Sequence, residues 1–295
     1  MGSDEIVYLN EGYEVEGYRI ESIIGPYDGY APVYKAQRIE DRLAVTIAEF
    51  LPERIARRTG AYVEPAWGAD DAYDVERERF DAEAAALATI DHPNLQPTIE
   101  RIRSGGTSYR VTARRSGSSL ERILKTSVLS QREIVEILDP LLRGLEALHG
   151  AGCLHMAITP DAILVLRDGT PLLTGMAGAW TGYLRGLGIE AIPPAKAAPY
   201  RAPEFSAKEA SYGPTGDIYA FACLLHRAIT GQDPQQWHER IKDDRTVPTG
   251  ARAPERFRDE LLTAIDAGLA LDAENRPQSV TAWRSLLRPD RRRIR

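Results

Sequence analysis

The stretch that says most about the fold is His155-Met156-Ala157-Ile158-Thr159-Pro160-Asp161-Ala162-Ile163-Leu164, which separates two apolar segments of different character. Before it, residues Gln131 to His149 carry apolar side chains at helical spacing, which predicts an amphipathic helix. After it, Pro171 to Thr174 is short and apolar, as in a strand. Towards the N-terminus, alternating segments predict strands at Tyr18–Ile24, Pro32–Ala36 and Leu43–Ala48. Strands first and helices later indicate an α+β fold with segregated layers.

Two segments between these parts differ in periodicity. Residues Pro52 to Asp74 contain glycine and proline and show no clear period, which predicts a long connection. Residues Val75 to Ile90 place apolar side chains near helical spacing among charges and stop before His92-Pro93-Asn94, which predicts a helix. The character of the chain changes near residues 112–117, so a lobe boundary is expected there.

Composition narrows the class of protein. The chain has 295 residues, 43% of them hydrophobic, enough for one large core or two lobes. Its formal net charge is −6 with no basic face, which argues against nucleic acid as a partner. Cys153 and Cys223 stand apart in apolar surroundings, which favours a reducing compartment over a disulfide framework or a zinc site.

The ends and the apolar runs of the chain bear on location. The start has no signal-peptide pattern, and no apolar run reaches the roughly 20 residues that a membrane helix needs. We therefore expect a cytoplasmic protein, or the cytosolic domain of a larger one, with no membrane span in this chain. The tail, residues 289–295, is basic, and the alternatives are an approach to a membrane or partner, or a solvated linker.

Nine short stretches, taken in order, resemble the signature motifs of the protein kinase family. They are Gly29–Ala36, Val45–Ala48, Glu49–Pro52, Glu83, His92–Asn94, His155–Leu164, Ala202–Glu204, Asp217–Tyr219 and Asn275–Pro277. The third of these stretches is similar to a bacterial Ser/Thr kinase branch. Any one match is weak, but the set runs in order over nearly the whole chain.

The resemblance implies a bilobal kinase-like fold. Its N-lobe would be an antiparallel sheet with the αC helix, and its C-lobe mainly helical. The boundaries expected are an N-terminal extension over 1–16, the N-lobe over 17–115, the C-lobe over 116–288 and the tail over 289–295. Three matches imply structural roles. Glu204 would pair with Arg276 in a charge-assisted contact, and Asp217 would anchor the backbone of the catalytic loop.

At the positions where the family handles phosphate and metal, this sequence departs from the pattern. Phosphoryl transfer depends on positioned charge, and the groups expected from the resemblance are a lysine, an aspartate, a second lysine and two metal ligands. The residues found at those positions are, in order, Ala48, Ala157, Thr159, Ala162 and Gly175. Alanine cannot accept a proton, and neither alanine nor glycine supplies a side-chain ligand to Mg²⁺.

The remaining positions of the expected cleft are also unusual. The glycine-rich loop keeps Gly25 and Gly29 but adds a proline and two tyrosines, which crowd the place where backbone amides would approach phosphate. The residues expected to line the cleft are Tyr27, Tyr30, Val33, Glu83, Thr112 and Met176. Without a lysine at position 48, the Glu83 carboxylate is expected to turn to solvent or to find another cation.

From this pattern the sequence predicts a catalytically inactive pseudokinase, a scaffold or regulatory module that binds a protein partner of unknown identity. No cofactor, no metal and no binding of Mg·ATP are expected. Two alternatives stay open. One is an enzyme with non-canonical nucleotide chemistry that recruits Asp161, Glu83 and Lys35. The other is a small-molecule sensor that uses the emptied cleft as its pocket.

Overall fold

The computed structural model describes residues 8–24, 31–175, 198–206, 212–243, 248–253 and 257–287. The chain divides into two compact units. Unit 1 comprises Met1–Asp91 and Gln96–Arg115, and unit 2 comprises His92–Leu95 and Ser116–Arg295. The expected cleft residues Tyr27, Tyr30 and Met176 lie outside the described residues, as does the basic tail.

Unit 1 is built on a six-stranded antiparallel sheet in the order β1-β2-β3-β4-β8-β7. Its strands are β1 (Glu14–Val15), β2 (Tyr18–Ile23), β3 (Val33–Arg38), β4 (Ala44–Glu49), β7 (Thr98–Ser104) and β8 (Thr107–Ala113). Alternation along the strands sends one set of side chains into the core. That core includes Tyr18, Ile20, Tyr34, Val45, Ile47 and Val111.

The segment predicted as a long connection contains regular structure. A hairpin forms between β5 (Ala56–Thr59) and β6 (Tyr62–Pro65), and Gly60 supplies the positive φ of 62° that its tight turn needs. The helix predicted from Val75 already begins at Asp70, because α1 spans Asp70–Ala88. Its first turn is acidic, which suits a helix N-terminus but gives no apolar period to detect.

Unit 2 combines helices with a small sheet in the order β11-β10-β9. The strands are β9 (Gly117–Ser119), β10 (Ile163–Leu166) and β11 (Pro171–Leu173). The helices of its described residues are α2 (Leu120–Thr126), α3 (Gln131–Gly150), α4 (Pro214–Thr230), α5 (Trp237–Arg240), α6 (Thr249–Arg252), α7 (Asp259–Gly268) and α8 (Val280–Leu287). Helix α3 starts in a capping box between Ser130 and Glu133 and buries the apolar face that its sequence predicts.

The predicted fold class is confirmed. In its described residues, unit 1 has the curled antiparallel sheet and the one long helix of a kinase N-lobe, and unit 2 has the helical character of a kinase C-lobe. Within the ranges described, no helix combines the length and the apolar character needed to cross a membrane.

Candidate functional site

The loop from His155 to Ala162 in unit 2 is fixed by Asp217, on the first turn of α4. Its carboxylate accepts hydrogen bonds from the backbone N–H groups of His155 at 2.8 Å and Met156 at 2.7 Å. The ring Nε2 of His149 lies 2.8 Å from the same carboxylate. Met156 has a φ of 60°, a strained value for a residue with a side chain. The carboxylate therefore holds the backbone in a conformation that it would not adopt unaided.

His155 ties this loop to the end of β11. Its Nδ1 accepts a hydrogen bond from the backbone N–H of Ala157 at 3.3 Å, so in the neutral ring the proton is on Nε2. Nε2 then donates to the carbonyl oxygen of Thr174 at 3.0 Å. The His155 residue is fully buried. The ring therefore couples the position of Ala157 to the segment that precedes Gly175.

The loop that Asp217 and His155 hold contains Thr159 and Ala162, and Gly175 directly follows Thr174. The hydroxyl of Thr159 accepts a hydrogen bond from the backbone N–H of Ala162 at 3.3 Å and so caps the short 3-10 turn Pro160–Ala162. The carbonyl of Ala162 accepts from the N–H and the hydroxyl of Thr174, at 2.8 Å and 3.0 Å. A Cβ at Gly175 would lie 4.0 Å from the Cβ of Ala162. Positions 162 and 175 are therefore neighbours, and neither contributes a side-chain oxygen.

These residues do not fit the Mg²⁺ that the family implies. The ion requires several oxygen ligands in a near-octahedral arrangement. In the part of the chain that the structure describes, no three or more His, Cys, Asp or Glu side chains cluster as metal ligands. Asp168 is held in the β10–β11 turn, where its carboxylate accepts from Thr170 N–H at 2.9 Å, and this hydrogen bond lowers its pKa. Asp161 is exposed on the 3-10 turn.

Glu204 and Arg276 form a buried pair elsewhere in unit 2. Nη1 and Nη2 of Arg276 donate to the two carboxylate oxygens of Glu204 at 2.7 Å and 3.0 Å. The guanidinium also lies over the ring of Tyr219, 4.7 Å from its centroid. Both side chains are buried, at 0% and 9% exposure, so the contact is shielded from water and salt. This pair belongs to the structural frame of unit 2.

The second group of predicted site residues lies on one face of the unit 1 sheet. The strand register pairs Ala48 with Val33 on β3 and with Arg110 on β8. Residues directly opposite each other in antiparallel strands, and residues two apart in one strand, share a face. The side chains on this face are therefore Val33, Lys35, Thr46, Ala48, Arg110 and Thr112. The hydroxyls of Thr46 and Thr112 lie 2.5 Å apart, so Thr112 is engaged within the sheet.

Glu83 of α1 has found another cation, one of the two outcomes that the sequence predicts. Nη1 of Arg110 donates to Oε1 of Glu83 at 3.3 Å, and the two side chains are only 13% and 17% exposed. Burial raises the pKa of the Glu83 carboxyl, and the positive charge of Arg110 opposes that rise. Sequence reasoning missed Arg110, because its position opposite Ala48 follows from strand register and not from any motif. It also missed His149, whose only signal is its place at the end of an amphipathic helix.

The chain belongs to the protein kinase family. The family described as "Protein kinase domain" matches residues 68–285. Among curated relatives, the Ser/Thr-protein kinase PknH of Mycobacterium bovis is 29% identical over 238 residues, which cover 75% of this chain and 36% of PknH. The Ser/Thr-protein kinase PknA of Mycobacterium tuberculosis is 28% identical over 200 residues, covering 63% of this chain and 44% of PknA. The chain thus spans less than half the length of these relatives.

Solved structures agree on the fold. The apo form of PpkA-294 aligns with a TM-score of 0.74 and 27% identity, covering 95% of this chain and 99% of that one. The kinase domain of Mycobacterium tuberculosis PknI aligns with a TM-score of 0.61 and 21% identity, covering 95% of this chain and 98% of that one. The PknI likeness supports the kinase fold alone.

The relatives overturn the prediction of a catalytically inactive pseudokinase with a degenerate active site, a scaffold and not an enzyme. PknH and PknA are both named as Ser/Thr protein kinases, which points to an enzyme. The prediction assumed that a charge is absent from the site wherever the family's charged residue is absent from its motif position. Unit 1 shows why that count is incomplete, because Arg110 on the neighbouring strand supplies a cation to Glu83 although position 48 is alanine.

Proposed function

We propose that this chain is a Ser/Thr protein kinase domain that transfers phosphate from a nucleoside triphosphate to a protein acceptor, with a non-standard set of groups. The observation that carries the proposal is the anchored loop: Asp217 fixes the backbone at His155 and Met156, and His155 fixes the loop to Thr174. The names of the relatives point to the same activity. The acceptor protein is the partner in this proposal.

The loop supports transfer because much of the catalysis of phosphoryl transfer is positioning. An exposed Asp161 stands on the 3-10 turn inside the anchored loop, and its carboxylate is our candidate for the group that orients the acceptor hydroxyl. Position 157 carries a methyl group where the family pattern has the proton acceptor. General base assistance contributes about 10²- to 10⁴-fold, so we expect transfer slower than in a kinase with that carboxylate by a factor of this size.

The remaining site residues are assigned by role within this proposal. The nucleotide-facing surface of unit 1 includes Ala48, Val33 and Thr112. Glu83 orients the guanidinium of Arg110 there. Thr159 shapes the 3-10 turn, while Ala162 and Gly175 leave space beside it. Glu204, Asp217 and Arg276 maintain the frame. The two buried thiols support a reducing compartment as the place of action.

A transfer assay tests the proposal. The purified chain is incubated with ATP labelled on the γ-phosphate, a divalent cation and a generic basic protein, and label in protein is quantified and mapped by mass spectrometry. We expect slow incorporation on serine or threonine. Asp217→Asn weakens the backbone anchor and should reduce the rate at least tenfold, whereas Asp259→Asn, an exposed aspartate at the start of α7, should leave it unchanged.

Two outcomes would contradict the proposal. One is the absence of label above background in the unaltered chain. The other is equal label in the unaltered chain and the Asp217→Asn variant, which would assign the activity to a co-purified kinase. Circular dichroism of Asp217→Asn shows whether the variant is folded. If it is not, Asp161→Asn replaces it, because that side chain is exposed and its loss leaves the core intact.

A further inference from the structure

The pair Arg110–Glu83 lies where a lysine would be expected in this family, but the cation comes from a different strand. Ala48 on β4 and Arg110 on β8 are direct cross-strand partners. Side chains of such partners start about 4.5–5.5 Å apart at Cβ and point to the same side of the sheet. The side chain of Arg110 therefore starts directly beside position 48 on the same side of the sheet, and it contacts Glu83.

We infer that Arg110 is the phosphate-binding cation of this domain and that Glu83 is its positioning residue. The inference rests on the proposed function, which supplies a nucleoside triphosphate as the ligand. It adds the identity of the group that recognises the phosphates. A lysine at position 48 is then unnecessary, because Arg110 supplies the positive charge from the neighbouring strand β8.

The chemistry of arginine suits this double task. A guanidinium is always charged and presents five N–H donors in a planar fork whose geometry matches both carboxylate and phosphate oxygens. Both side chains of the pair are mostly withdrawn from water, which strengthens charge-assisted hydrogen bonds. The charge of Arg110 also opposes the rise that burial causes in the pKa of Glu83, so it helps to keep this carboxylate ionised.

Lys35 is the competing cation on the same face of the sheet. It pairs in register with Thr46 and so lies two positions along the face from Ala48, not opposite it. Its side chain is exposed, and a solvated ammonium contributes less to phosphate binding than a partly buried guanidinium. Arg110 is therefore preferred, and the experiment includes Lys35 as a separate arm.

Equilibrium binding of ATP and of adenosine, each without divalent cation, tests the inference in the full chain. Arg110→Met should weaken ATP about tenfold or more, the effect of losing one charge-assisted hydrogen bond to phosphate. Adenosine has no phosphate, so its affinity should be unchanged. Arg57→Met is the matched control, because Arg57 carries the same charge on the β5–β6 hairpin, outside the six-stranded sheet, and its side chain is 56% exposed. Its effect on ATP should be less than about twofold.

A rescue variant separates phosphate recognition from general damage. In the double variant Ala48→Lys with Arg110→Met, the cation returns to β4 and ATP affinity should recover, while Arg110→Lys should retain part of it. The inference is wrong if ATP binds equally to the unaltered chain and to Arg110→Met, if adenosine weakens as much as ATP, or if ATP does not bind the unaltered chain. It is also wrong if Lys35→Met, and not Arg110→Met, abolishes binding.

The two proposals fail in different ways. If ATP binding depends on Arg110 but the chain transfers no phosphate, the proposed activity is wrong and the phosphate-binding role of Arg110 is retained. Transfer that persists in Arg110→Met would overturn the phosphate site and leave the activity standing.

Discussion

Replacing Arg276 by methionine tests whether the frame of unit 2 depends on the buried pair with Glu204. The guanidinium donates two hydrogen bonds to Glu204 and three to the backbone carbonyls of Thr215, Ala270 and Leu271. Methionine fills a similar volume but donates none of these bonds. The Glu204 carboxylate, only 9% exposed, would lose its cation.

The size of the effect follows from comparing two estimates. Hydrogen bonds to charged groups contribute about 1.5–3 kcal/mol each, so five of them summed independently would exceed the whole stability of many domains. That sum neglects the cost of removing both ions from water. Breaking a buried ion pair by removing one partner costs about 3–5 kcal/mol, which already includes this cost. We therefore expect the free energy of unfolding to fall by about 3–5 kcal/mol.

Urea unfolding followed by tryptophan fluorescence measures this change, because Trp283 is fully buried in the same unit and donates to the carbonyl of Ala264 at 2.7 Å. Arg132→Met is the matched control, since Arg132 is 87% exposed in an i,i+4 pair, and it should cost less than about 0.5 kcal/mol. Adding Glu204→Gln to Arg276→Met should restore about 1 kcal/mol or more by removing the unpaired charge. A loss below about 1 kcal/mol in Arg276→Met would refute the reasoning.

Three further predictions concern pH, thiols and catalysis. Burial raises the pKa of Glu83 above its ordinary 4.5. The Glu83 carboxyl group therefore binds its proton more tightly in the folded protein than in the unfolded chain. The free energy of unfolding should therefore fall as pH rises from 4.5 through the raised value, and Glu83→Gln should remove this part of the slope in urea titrations. Burial raises the pKa of the Cys223 thiol to about 12, and Cys153 is also buried, so iodoacetamide should label neither thiol until urea unfolds the chain; labelling of the native protein would contradict this. Ala157→Asp places a carboxylate on the anchored loop and should raise the rate of phosphate transfer about 10²- to 10⁴-fold, whereas an unchanged rate would show that this position does not face the acceptor.

The fold was predictable because its signals are local or lie in ordered motifs. The apolar face of α3 and the alternation in β2, β3 and β4 are read directly from residue spacing. The hairpin β5–β6 escaped prediction because its strands are four residues long and carry charges such as Arg57 and Glu64, which pair across them at 3.0 Å. Charged cross-strand pairs stabilise a hairpin without producing an apolar period.

The site was only partly predictable, because one of its contacts depends on register. Motif order locates Glu83 and position 48, and the absence of lysine at 48 is plain from the sequence. The partner that Glu83 takes is set by which residue of β8 lies opposite β4. A shift of one residue in that pairing would turn Arg110 to the other face of the sheet and away from Glu83. No single-strand pattern contains this information.

The anchored loop explains how positions 157, 162 and 175 can change while the frame persists. The contacts that hold the loop run from the Asp217 carboxylate to backbone N–H groups, and from the His155 ring to a carbonyl. Backbone groups are the same for every residue except proline, so these contacts impose no requirement on the side chain at 157. Gly175 is different, because its φ of 75° favours glycine whatever chemistry the site performs. Substitution at position 157 can therefore alter catalysis without moving the loop, whereas substitution at 175 changes backbone and chemistry together.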